Sequence, residues 1–328
     1  MKKFLALVLC AALLVGACAC KSDKGGRTLF TFDGEIVKEE EFVFSYRNII
    51  TYFESQFETS FAQMYDIKLS NGETLADLCE TYAVQEVGYA AVVRKIISDN
   101  NIPWTADNQT HFETLMEYYI ALDGGEDALA EKLAANGMTV EMLENSVRQY
   151  VYLGAAADWL YENGRLETPD SEQLLGIFNE RYAKIKTVYF SFEGLSEKET
   201  DVQYIKIAQV RQQLQQGEDI DKIISDVGGD SGTYLITDSA DFDADLVTAV
   251  FAQDTDTVGE VKTANGYHIF LRMPLDSEDF EENEEALLNT VKDERFTGYI
   301  DTLYNSAKMT VDEKIYNEII KNTLSEYK

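Results

Sequence analysis

Of 328 residues, 59 are Asp or Glu and 28 are Lys or Arg, a formal charge of −31 at pH 7. So acidic a surface excludes nucleic acid as a natural partner, because phosphate contact needs clustered Lys and Arg; it keeps a chain soluble and favours basic partners. With 45% apolar residues and no low-complexity block, the chain can bury a substantial core and is long enough for two domains.

Lys2 and Lys3 precede an apolar run from Phe4 to Val15 and then Gly16-Ala17-Cys18, the layout of a secretory signal over residues 1–17. The run is shorter than the roughly 20 residues that span a bilayer. Val15-Gly16-Ala17-Cys18 resembles a bacterial lipobox. That resemblance implies lipidation of Cys18 and anchoring to the extracytoplasmic face of the bacterial cell membrane. Cys20 offers a poorer alternative cut, because Cys18 would then stand where a bulky apolar residue is preferred. Processing at Cys18 leaves 311 residues and removes two lysines and no acid, moving the charge to −33. Residues 18–26, small, polar and Gly-ended, read as the lipidated tether.

Thr28 to Phe32, a turn at Asp33-Gly34 and Glu35-Ile36-Val37 read as a short hairpin. Phe42, Tyr46, Ile49, Phe53, Phe57 and Phe61 recur at spacings of three and four, predicting a long helix from about Glu39 to Asp66. Further helices are expected from Leu75 to Asn100, Asp107 to Leu122, Asp127 to Ala135, Thr139 to Tyr161 and Ser171 to Arg181. Aromatic stripes at this spacing are usually core, but an open helical cradle would leave some exposed to grip unfolded chains. Cys79 falls on an apolar helical face, so no disulfide framework is expected. The two histidines, His111 and His268, are far apart and lack partners at ligand spacing, so no metal or cofactor is expected.

Phe32-Asp33-Gly34-Glu35-Ile36-Val37 with Glu40-Glu41-Phe42 resembles the opening of the N-terminal domain of SurA- and PrsA-type foldases. Asn136-Gly137-Met138-Thr139, Leu143, Val147 and Pro169-Asp170-Ser171 are similar to that domain's later helices. The resemblance implies a helical chaperone domain, residues 27–183 and 275–328, split around an insert, with the tail returning to the N-terminal helices.

From Lys184 the period changes. Ile185 to Phe192 reads as a strand, Val202 to Gln215 and Ile220 to Ile224 as helices, and residues 228–273 as a Gly-rich turn, strand, helix and two paired strands. The order is β-α-α-β-α-β-β. Gly229-Asp230-x-Gly232, Ala249-x-Phe251-Ala252, Gly259-Glu260-x-x-x-Thr263 and Gly266-Tyr267-His268-Ile269 in that order resemble a parvulin-type (PpiC) peptidyl-prolyl isomerase over residues 184–274. The fold class expected is therefore α+β, a SurA-like helical domain with an inserted parvulin domain.

The resemblance implies a proline seat of Phe242 and Leu246, with His268 as one of a histidine pair beneath it. Where parvulins show His-Ile-Leu this chain has Thr187-Val188-Tyr189, so Thr187 replaces the second histidine and activity is expected to be weak or absent. Asp226 takes the Cys/Asp position, although only three residues separate it from Asp230. Implied partners are unfolded or partly folded secreted proteins carrying X-Pro bonds, and the membrane through the lipid anchor; the oligomeric state is left open, a dimer included. A binding module with a degenerate isomerase domain is the alternative. Gly229-Asp230-Ser231-Gly232 matches the letters around a trypsin-like nucleophile, but His111 has no supporting motif and no double barrel is readable. A solute-binding lipoprotein is disfavoured because no pair of repeating α/β lobes can be drawn.

Overall fold

The computed structural model describes residues 26–228, 230–237 and 242–327; the expected signal over residues 1–17, Cys18 and Cys20 lie outside them. In chain order, β1 (Thr28–Phe32) and β2 (Glu35–Lys38) lead into α1 (Glu39–Phe57), α2 (Leu75–Asn100), α3 (Ala106–Leu122), α4 (Glu126–Ala135) and α5 (Val140–Glu162). Then come α6 (Ser171–Arg181), β3 (Tyr182–Ser191), α7 (Glu197–Gln215), α8 (Ile220–Val227), β4 (Gly232–Thr237), α9 (Ala244–Ala252), β5 (Val258–Lys262) and β6 (Gly266–Met273). The tail is α10 (Ser277–Ser306), β7 (Met309–Val311) and α11 (Glu313–Ser325). The fold is α+β and divides into two compact units, one of residues up to Glu167 with Glu294 onward, the other Thr168–Asp293.

In the first unit, β7 pairs antiparallel with β1, setting Phe30 opposite Val311 and Phe32 opposite Met309, in the order β2-β1-β7. Helix starts are written locally. The hydroxyl of Thr74 accepts from the Asp77 N–H at 3.1 Å while the Asp77 carboxylate accepts from the Thr74 N–H at 2.8 Å, and Thr105 with Asn108 repeats the device. Phe42 and Tyr46 are 0% exposed and Ile49 and Phe53 3%; Phe42 packs 5.8 Å from Tyr46 and 5.5 Å from Tyr316 of α11. Phe42, Tyr46 and Phe53 of α1 are therefore core, whereas Phe57 at its end is exposed. The helix also stops short of Asp66. Glu58 adopts a left-handed conformation at φ 48°, and Phe61, though in period, is buried in a separate 3-10 turn whose N–H donates to Glu54 Oε1 at 2.7 Å.

The same unit buries polar groups. Arg94 donates to Glu41 at 2.8 Å and to the Ile36 carbonyl at 2.9 Å, so a buried ion pair ties α2 to α1 and the hairpin. Ser45 donates to Glu86 Oε2 at 2.6 Å, while Oε1 is buried without a hydrogen-bond partner among the described residues. Burial pushes the Glu86 carboxyl well above the usual carboxylate range, the Ser45 hydrogen bond opposing it only in part. Gly88 has to be glycine for packing reasons, since a Cβ there would overlap the rings of Tyr304 and Phe32.

The second unit is an antiparallel sheet in the order β4-β3-β6-β5. Its limits differ from the 184–274 read from sequence, because α6 and the first half of α10 pack with it: Phe178 stacks 4.5 Å from Tyr182 and shares a core with Leu174, Leu287 and Val291. β3 starts at Tyr182, earlier than expected, and α7 begins at Glu197, where Ser196 and Glu199 form a capping box ahead of the apolar run.

Candidate functional site

Period-2 alternation gives the second sheet two different faces. On β3 and β6, Val188, Phe190 and Ile269 point to one side, where Ile207 and Val210 of α7 and Ile220 and Ile223 of α8 cover them. The other side carries Ala183, Ile185, Ile236 and Phe270 beneath Leu246 and Val250 of α9. Thr187, Tyr189 and His268 lie on this second side, since Thr187 pairs with Phe270, and His268 with Tyr189 and Val261.

Two glycines of the sequence motif permit this packing. A Cβ at Gly259 would stand 2.5 Å from the Phe270 ring, and one at Gly266 would stand 2.5 Å from the Tyr189 ring and overlap the Phe190 carbonyl. Arg272 holds α9 in place, donating to the carbonyls of Val250, Phe251 and Gln253 at 3.1, 3.3 and 2.6 Å, where a cation also suits the negative end of a helix. The other end is capped by Asp243, whose carboxylate accepts from the Asp245 N–H at 2.9 Å.

The structure brings Thr187 and His268 together: Thr187 Oγ1 lies 3.2 Å from His268 Nδ1 and 3.4 Å from the Ile269 carbonyl. Thr187 is 2% exposed. The Tyr189 ring lies 4.5 Å from the imidazole, tilted by 31°. Burial pushes His268 down to about 4, opposed by the Asp243 carboxylate, so the imidazole is neutral at physiological pH. Leu246 is 5% exposed, and Phe242 is half-buried against the same core. The result is an apolar seat beside a threonine, a tyrosine and a neutral imidazole. It can hold an apolar ring and offer hydrogen bonds, but it contains no activated nucleophile.

Asp226 is not brought to this cluster. It lies on α8, whose Ile220 and Ile223 pack on the other face of the sheet, and lines a groove of about 400 Å³ with Tyr189, Gln203, Lys206, Gln209, Gln213 and Asp230. The carboxylate whose field reaches His268 is that of Asp243. Two residues went unread in the sequence, Tyr189 and Asp243. Tyr189 had a signal, standing two positions after Thr187 on a strand and so on its face. Asp243 had a weaker one, as a helix-capping aspartate next to Phe242. His111 is exposed on α3, its ring 6.1 Å from that of Tyr150. Ser231 accepts from the Tyr189 N–H at 3.0 Å, just past the last β3–β4 pair, Thr187 with Gly232.

No protein-family model matches the chain, and no curated protein matches it. Solved structures similar to it are PrsA peptidylprolyl isomerases and SurA-like chaperones. PrsA of Bacillus cereus is 14% identical, with 80% of this chain and 97% of that one covered and a TM-score of 0.37. The foldase PrsA of Streptococcus pneumoniae is 15% identical, with 92% and 93% covered and a TM-score of 0.33. A SurA-like chaperone of Campylobacter jejuni is 8% identical, with 87% and 99% covered and a TM-score of 0.33.

Proposed function

We propose that the chain is an extracytoplasmic foldase, lipid-anchored through Cys18, whose second unit seats X-Pro segments of secreted clients and isomerises them slowly. The observation that carries this reading is the 3.2 Å contact between Thr187 and His268 on the sheet face that Leu246 of α9 also covers. Rotation about an X-Pro bond faces a barrier of about 20 kcal/mol set by amide resonance. A catalyst need only hold the proline ring and favour the twisted amide over the planar one, which asks for no nucleophile, metal or cofactor. Phe242 and Leu246 supply the apolar seat. Thr187 fixes the imidazole, either donating to Nδ1 or accepting from it according to the tautomer. A threonine cannot share a proton with His268 as a second histidine would, so the polar support for the twisted amide is thinner and the rate correspondingly low.

The same substitution favours a second reading, a clamp that binds X-Pro segments without turning them over. Relaxation of a prolyl tetrapeptide from cis to trans separates the two. Acceleration at micromolar protein, reduced at least tenfold in both His268→Ala and Phe242→Ala, is the outcome expected of the enzyme; an unchanged rate with measurable peptide binding identifies the clamp. Full activity in both variants contradicts the site assignment.

A further inference from the structure

The charged side chains of the second sheet are distributed unevenly. Lys186 pairs with Asp221 at 2.6 Å, and Lys184 with Asp276 and Asp279 at 3.0 and 2.8 Å. Arg211 reaches Glu260, and Lys262 lies over the rings of Phe192 and Tyr204. Strand alternation places Lys184, Lys186, Glu260 and Lys262 on the face away from His268. On the His268 face, Arg272 is engaged by the end of α9. Among the described residues, the charge at the seat therefore comes from Asp243, adjoining Phe242 and one turn before Leu246, beside His268. One Asp243 oxygen is engaged by the Asp245 N–H, which leaves the carboxylate further acceptor capacity.

Resting on the X-Pro reading above, we infer that Asp243 makes the seat selective for prolines flanked by Lys or Arg, and unfavourable to prolines flanked by acidic or phosphorylated residues. A client side chain next to the ring lies beside a half-buried carboxylate over an apolar face, where charge pairing is screened less than in open water. Reversing the charge of the flanking residue turns a partly screened attraction into repulsion, so a preference of about tenfold is expected.

The test measures dissociation constants and relaxation rates of the full processed chain with Ala-Lys-Pro-Phe, Ala-Ala-Pro-Phe and Ala-Glu-Pro-Phe peptides at low and high salt. The expected order is Lys over Ala over Glu, compressing at 1 M salt as screening shortens. In Asp243→Asn, which keeps an equivalent helix cap, the ratio of Lys to Glu peptide falls toward one. Equal affinity for the Lys and Glu peptides in the wild type, with the Ala peptide still bound, overturns this inference alone. An unchanged ratio in a folded Asp243→Asn also overturns it. Binding of none of the three overturns the inference together with the X-Pro reading.

Discussion

The two units use the same residue types for opposite ends. In the first, aromatic side chains and buried polar groups are taken up by packing: Phe42, Tyr46 and Phe61 are fully enclosed, Arg94 pairs with Glu41, and Ser45 donates to one oxygen of Glu86 between elements. In the second, Tyr189, His268 and Phe242 are gathered on one sheet face but only partly covered. An aromatic or a histidine is thus core or site according to whether a second element closes over it. In the first unit α11 closes over α1, with Tyr316 against Phe30 and Phe42. In the second, α9 covers Ile185 and Phe270 while Phe242, at its start, stays half-buried.

The contrast breaks most visibly in the first unit. Phe42→Ala should cost about 3–5 kcal/mol of stability, the range for a fully buried aromatic, and leave prolyl-peptide binding by the folded protein unchanged. Urea unfolding with a parallel peptide titration checks both; a loss near zero would mean that the stripe is not core. A smaller effect tests the polar side of the comparison. Because burial raises the folded Glu86 carboxyl above its unfolded value of about 4.5, its contribution is complete below that value and is lost as pH rises toward the raised folded value. Glu86→Gln, which can still accept from Ser45, should therefore raise the melting temperature more at pH 8 than at pH 4. An equal change at both pH values contradicts the assignment.

Much of this division was legible in the sequence. The ordered glycines 259 and 266 announced the paired strands that place His268, whereas the local capping signal of Ser196 with Glu199 went unread and α7 was expected only from Val202. What spacing could not supply was closure. Phe61 kept the period of α1 after the helix had ended at Glu58, because burial of an aromatic does not require the helix to continue. Asp226 stood at a plausible position in the chain, yet the face onto which α8 packs is fixed by Ile220 and Ile223 against β3 and β6, a tertiary choice. The field of Asp243 on His268 likewise exists only after α9 docks over the sheet.

The central claim is that a prolyl segment sits over the Thr187–His268 pair, and the chain's two histidines make it directly measurable. In an NMR titration the ring signals of His268 and exposed His111 act as site and control. The account predicts that His268 titrates near pH 4 and shifts on addition of a prolyl tetrapeptide at neutral pH, while His111 does not move. A His268 signal indifferent to saturating peptide, or moving no more than that of His111, would contradict it.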